Sequence, residues 1–134
     1  MASWESTRPY FEQAAVAHVA TLMPDGAPHS VPVWVGVEGD ELAIFMITGS
    51  RKDRNLQGDP RFALSVTRPG EAFDMAFVRG TVSRRIEGDD AMPIIDRVAV
   101  KYTGEPYGIR SGLVAFLLRP EVCWSHDYTG EPGT

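Results

Sequence analysis

Residues 48–61 read Thr48-Gly49-Ser50-Arg51-Lys52-Asp53-Arg54-Asn55-Leu56-Gln57-Gly58-Asp59-Pro60-Arg61, and they interrupt what is otherwise a succession of strands. The apolar run before them, Leu42 to Ile47, reads as a strand; after them Phe62, Leu64 and Val66 alternate along another, Arg61 to Thr67. Between the two, Ser50 with Asp53 three residues on has the form of a capping box that opens a short helix. Gly58 suits the residue after that helix, and Asp59-Pro60 prevents its continuation. The helix start leaves backbone N–H groups unpaired, and Arg51 and Lys52 add two cations to its first turn. Cations there oppose the helix dipole at about 0.3–1 kcal/mol each. A bound anion such as phosphate removes that cost, because amides, dipole and side chains then converge on it. Two readings stand at this level: a phosphate cradle, or a surface helix with solvated basic residues in which Asp53 answers the dipole.

Upstream, Arg8 to Ala15 reads as a short helix capped by Thr7, with Pro9 in its first turn. Ala17 to Met23 is a first strand and Pro24-Asp25-Gly26 a turn. His29 to Val37 reads as a second strand, with Val31, Val33, Val35 and Val37 on one face and Ser30, Pro32, Trp34 and Gly36 on the other. Pro32 has no N–H, so this strand lies at a sheet edge or its ladder breaks there. Backbone near it is then free to meet a flat ring, although an edge proline that discourages aggregation reads the same way. Glu38-Gly39-Asp40-Glu41 is a hairpin turn.

Downstream, Arg68-Pro69-Gly70 leads into a long strand, Phe73 to Ile86, in which Gly80 marks a bulge, a bend or a close approach. Asp89 or Asp90 caps a helix reaching Tyr102, with Met92, Ile95, Val98 or Ala99, and Tyr102 as its apolar stripe. Thr103 to Gly108 is a loop. Leu113 to Leu118 and Val122 to Ser125 are closing strands separated by Arg119-Pro120, and the tail, 127–134, is expected to be poorly ordered. Six or seven strands joined by hairpins, with three short helices, predict a mainly β (α+β) chain. The expected form is a small antiparallel barrel with helices at its openings.

The 134 residues fit one domain, 1–134, and an apolar content of 43% is ordinary for a globular core. A net charge of −5 argues against a general nucleic-acid binder. The single cysteine, Cys123, precludes an internal disulfide framework and suits a reducing cytoplasm; it reads as a core or strand residue. No apolar run approaches the roughly 18 residues that span a bilayer, and Met1 to Arg8 lack a signal-peptide apolar region. There is no G-x-G-x-x-G, P-loop, H-E-x-x-H or G-x-S-x-G, and His18, His29 and His126 lack metal-ligand spacing. Any enzymatic chemistry is therefore expected from a bound cofactor, which the protein positions and shields.

Several stretches together resemble one family. Val19-Ala20-Thr21, Asp25-Gly26-Ala27-Pro28-His29, Pro32-Val33-Trp34, Ser50-Arg51-Lys52-Asp53-Arg54-Asn55-Leu56 and Asp59-Pro60-Arg61 are similar to the pyridoxamine 5′-phosphate oxidase-like split-barrel superfamily. With Val78-Arg79-Gly80-Thr81-Val82 and Lys101-Tyr102-Thr103-Gly104, they look closest to the branch that uses the deazaflavin F420 in place of FMN. The resemblance covers roughly residues 10–125, and Lys-x-x-Asn-Leu with Asp-Pro-Arg is its most specific part. The full set of phosphate-binding arginines expected of a true pyridoxamine phosphate oxidase is missing, which favours the deazaflavin branch.

The resemblance implies a six-stranded split barrel that forms a homodimer, with two cofactor sites at the subunit interface. By position, Lys52 would hold the cofactor phosphate, with Ser50, Arg51 and Asn55 beside it and Thr48 at the strand end. Backbone around Ser30, Val31, Pro32, Val33 and Trp34 would line the ring, and Phe77 and Arg79 of the partner's long strand would close the site. The implied activity is hydride transfer between reduced F420 and a small unsaturated or conjugated substrate. The alternatives are an FMN-dependent flavoprotein on the same scaffold and a non-catalytic F420-binding or storage protein. Tyr102, Tyr107, His29 and solvent are the candidate proton sources.

Overall fold

A computed structural model describes residues 3–130; the end of the expected tail, 131–134, lies outside them. In chain order the elements are α1 (Trp4–Glu12), β1 (Ala17–Leu22), β2 (Pro28–Val33), β3 (Gly36–Glu38), β4 (Glu41–Ile47), α2 (Arg51–Gly58), β5 (Arg61–Arg68) and β6 (Glu71–Glu87). A 3-10 turn (Gly88–Ala91), α3 (Met92–Thr103) and β7 (Leu113–Asp127) complete them. The strands form one antiparallel sheet in the order β2-β1-β5-β6-β7-β4-β3. This is the antiparallel split barrel expected, with seven strands where the resemblance implied six.

The sheet order explains why the barrel is split. β2 and β3 lie at opposite edges, yet only Trp34 and Val35 join them. Three Cα–Cα steps of about 3.8 Å each reach at most about 11 Å, so the sheet curls until its edges nearly meet. No ladder crosses that seam. The single strand expected over His29–Val37 is thus two, and the break falls after Val33. Pro32 stands on the edge strand β2, paired in register with His18, where a missing N–H costs the sheet nothing. All four valines still enter one core: Val35 is fully buried, and Val31, Val33 and Val37 pack partly buried against it.

That core fills the barrel with Val19, Leu42, Ile44, Leu64, Val78, Val114 and Phe116, and α1 plugs one opening with Phe11. A second cluster lies under α3, where Met92, Ile95 and Val98 of the expected stripe pack with Ile86, Ala91, Ile94 and Leu113. Gly104, in the left-handed region at φ 80°, ends α3.

Three local expectations are corrected. α1 starts at Trp4, not Arg8: Ser3 and Ser6 cap it reciprocally, Thr7 is buried inside it and Pro9 lies in its body. β7 is one strand across Arg119-Pro120, because Pro120 sits opposite Gly80 where the β6–β7 register shifts and no ladder N–H is needed. Gly80 is required there, since a Cβ on it would lie 1.8 Å from the Arg119 carbonyl oxygen. Finally, Asp127 belongs to β7, and beyond it the Tyr128 N–H donates to Phe73 O at 2.8 Å.

Candidate functional site

α2 has only eight residues, too few to be stable alone, so its placement depends on contacts with the sheet. Leu56 enters the barrel core. Asn55, 3% exposed, donates from Nδ2 to Thr21 Oγ1 of β1 at 3.0 Å, and Arg51 reaches its Oδ1 at 3.4 Å. Asp53 is fully buried and takes two hydrogen bonds from Arg85 of β6, at 2.8 and 2.9 Å. It also accepts from the Gly49 N–H at 2.8 Å and from Gln57 at 3.1 Å. Burial pushes the Asp53 carboxyl up, but the Arg85 and Gly49 hydrogen bonds outweigh it and hold the group below its ordinary range. The same pairing raises Arg85.

The capping box expected at Ser50 is therefore not formed. Ser50 occupies the N-cap position, but its side chain makes no cap bond, and Asp53 serves Gly49 and Arg85 instead. The Ser50 hydroxyl is buried and has no hydrogen-bond partner among the described residues. Such a group costs about 1–3 kcal/mol if nothing satisfies it. Nor does Gly58 follow the helix: it is its last residue, and Asp59 is the C-cap.

Beside α2, at the seam of the barrel, lies an open cavity of about 380 Å³ lined by Val16, Pro32, Val33, Trp34, Phe45, Lys52 and Tyr107. It brings together five of the residues singled out from sequence: Pro32, Val33, Trp34 and Lys52 of the cofactor set, and Tyr107 of the candidate proton sources. Lys52 makes no hydrogen bond or ion pair with the described residues and is the one cation in the lining. The other lining side chains are three aliphatic and three aromatic ones. Trp34 meets Phe45 and Tyr107 edge-on, at centroid distances of 6.4 and 6.2 Å, and Phe45 meets Tyr107 at 4.8 Å. Tyr107 is fixed from α3: Asp96 accepts from its N–H at 3.0 Å, while Arg110 bridges Asp96 and the Tyr107 carbonyl at 2.7 and 2.9 Å.

The other sequence-selected residues lie around or away from this cavity. Thr48 follows β4 and is exposed, its N–H bonded to Gly112 O at 2.9 Å. Ser30 and Val31 pair with Ala20 and Val19, Ser30 outward and Val31 toward the core. Phe77 lines a second cavity of about 260 Å³ on the outer sheet face, with Val16, His18, Met75 and Trp124 among its walls. Arg79 is exposed on that face, its guanidinium 5.9 Å from the Phe77 ring centre. Val16 belongs to both cavities.

Among the candidate proton sources, the Tyr102 hydroxyl is already engaged, donating to Ala15 O at 2.6 Å and accepting from Val35 N–H at 3.1 Å. His29 does not line the cavity, and its Nδ1 is buried without a partner among the described residues. Tyr107 is the lining residue that carries a hydroxyl. Val16 and Phe45 were not foreseen. Phe45 had a signal: it alternates with Ile44 and Met46, which enter the barrel core, and so lies on the other face of β4, toward the cluster under α3.

Comparison with known proteins agrees with this architecture. The profile of the family described as pyridoxamine 5′-phosphate oxidase matches residues 3–125. No curated protein matches the chain. Among solved structures, an F420 reductase is 27% identical, with a TM-score of 0.77 over 87% of this chain and 94% of that one. A conserved hypothetical protein from Mycobacterium tuberculosis is 21% identical, with a TM-score of 0.80 over 96% of this chain and 87% of that one. An FMN-binding protein related to pyridoxamine 5′-phosphate oxidase, from Nostoc punctiforme, is 19% identical, with a TM-score of 0.72 over 98% and 87%. The last two likenesses show the fold alone.

Proposed function

The chain belongs to the pyridoxamine 5′-phosphate oxidase family, and from that premise we propose that it is an F420-dependent oxidoreductase acting on a small unsaturated or conjugated substrate. The observation that carries the reading is the cavity at the seam, where one cation from the start of α2 shares the lining with three aromatic rings and three aliphatic side chains. Its volume, about 380 Å³, lies at the low end for ligand sites and suits a fused ring better than a whole cofactor. The buried, partnerless Ser50 hydroxyl and the open amides of α2 fit a phosphate beside that ring. The 27% identity with an F420 reductase favours F420 over FMN.

When bound, reduced F420 supplies a hydride. Lys52 and the α2 amides anchor the phosphate, with Arg51 next in the turn. Pro32, Val33 and Trp34 support one side of the ring. Val16, Phe45 and Tyr107 add apolar surface for the ring, and positioning of donor and acceptor against it favours a close contact. Of the side chains considered as proton sources, Tyr107 is the one in the lining, which supports it, beside solvent, as the group that returns a proton.

The proposal includes a homodimer in which Phe77 and Arg79, on the outer sheet face of the other subunit, complete each site. The chain acts as a single domain in the cytoplasm, consistent with its lone cysteine. Among the described residues no helix is long and apolar enough to cross a membrane. Fluorescence titration of the purified protein with F420 and with FMN tests the reading. Tighter binding of F420 than of FMN, and oxidation of reduced F420 when an enone or quinone is added as hydride acceptor, are expected. Preference for FMN selects the flavoprotein alternative, tight F420 binding without turnover selects storage, and binding of neither rejects the proposal.

A further inference from the structure

Val35 poses a problem that the sheet does not solve. It carries the chain across the seam, is fully buried, and has no strand beside it, yet its N–H and C=O both need partners. Two consecutive residues of α3 supply them. The Tyr102 hydroxyl accepts from Val35 N–H at 3.1 Å and donates to Ala15 O at 2.6 Å. Lys101 Nζ donates to Val35 O and, at 2.7 Å, to Phe11 O. The Tyr102 ring also stacks on Trp34, with centroids 5.0 Å apart and planes 6° from parallel.

These contacts span the cavity. Ala15 precedes Val16, Val35 follows Trp34, and both Val16 and Trp34 are lining residues. One hydroxyl therefore ties together two separate parts of the wall, and one ammonium ties the same crossover to the end of α1. We propose that Tyr102 and Lys101 are positioning residues: they close the seam with side chains and hold Val16 and Pro32–Trp34 at the separation a bound ring requires. This rests on the reading of the cavity as a cofactor site. A site whose walls are preset avoids the ordering cost on binding, so the clamp contributes to affinity as well as to the fold.

The test compares wild type with Tyr102→Phe, which keeps the ring stacking, and Lys101→Met, which keeps the stem. Peptide-level hydrogen exchange reads the seam and F420 titration reads the site. In both variants, exchange across residues 34–36 is expected to rise at least tenfold while β6 and β7 keep their protection, and the F420 dissociation constant to rise at least fivefold. Unchanged exchange at the seam overturns the clamp. Faster exchange throughout β6 and β7 makes these contacts part of global stability and overturns the positioning role, as does faster seam exchange with unchanged affinity. Wild-type protein that binds neither F420 nor FMN refutes the proposed function instead, and with it the positioning role. The exchange arm then still decides whether the clamp exists.

Discussion

Replacing Asp53 with Ala removes the anchor that places α2. The Asp53 side chain is 1% exposed and its partner Arg85 22%, so the variant strands a guanidinium that is largely out of water. Breaking a buried ion pair from one side costs about 3–5 kcal/mol. Arg85 keeps a second partner, Glu87 at 2.8 Å, which puts the loss at the low end, about 3 kcal/mol. For a chain of this size that lowers the melting temperature by about 10 °C. Urea unfolding followed by tryptophan fluorescence measures it, and Asp53→Ala/Arg85→Met completes a double-mutant cycle that should recover part of the loss. The pH dependence gives a second reading. The folded-state pKa of Asp53 is depressed, so its contribution is present above the ordinary carboxylate pKa of about 4 and is lost as pH falls through the lower folded value. Wild type should lose this acid-sensitive increment and the variant should lack it. A loss below about 1 kcal/mol, the range of an exposed pair, would show that α2 is not held in this way.

Gly80→Ala brings a methyl group to within 1.8 Å of the Arg119 carbonyl oxygen, which is backbone and cannot rotate away; a loss of about 2–3 kcal/mol is expected by urea melt. Burial lowers Lys101 to about 8 from 10.5. Between those values the unfolded chain binds more protons than the folded one, so stability should rise as pH climbs from about 8 toward 10.5. Thermal melts of wild type should show that rise, and those of Lys101→Met should not.

Much of the fold was legible because it follows from alternation and turns. The valines of 31–37, the stripe of Met92, Ile95 and Val98, and the Gly80 irregularity all signal local geometry that the whole molecule keeps. The misreadings within the sheet and at α2's first turn share one cause: partners distant in sequence. Nothing between His29 and Val37 marks Trp34-Val35 as a crossover, because the reason is α3, more than sixty residues on, with hydroxyl and ammonium aimed at Val35. Asp53 looked like half of a capping box because Arg85, on another strand, was invisible beside it. At Pro120, local chemistry argued for a break, and the bulge opposite Gly80 removed the need for one. Within the candidate site, Lys52 and Pro32–Trp34 were readable from their own neighbourhoods. Val16, and the place of Tyr107 in the wall, depend on how the sheet curls and how Asp96 and Arg110 hold a loop.

The central claim is that a phosphorylated redox ring lies in the seam with its phosphate at the start of α2. The most direct measurement is the F420 dissociation constant of Lys52→Ala against wild type, by fluorescence titration at matched salt. Loss of a charge-assisted hydrogen bond, about 1.5–3 kcal/mol, should weaken binding by about 10- to 150-fold, with unchanged circular dichroism. Equal affinity in the two proteins would put the phosphate elsewhere and contradict the account.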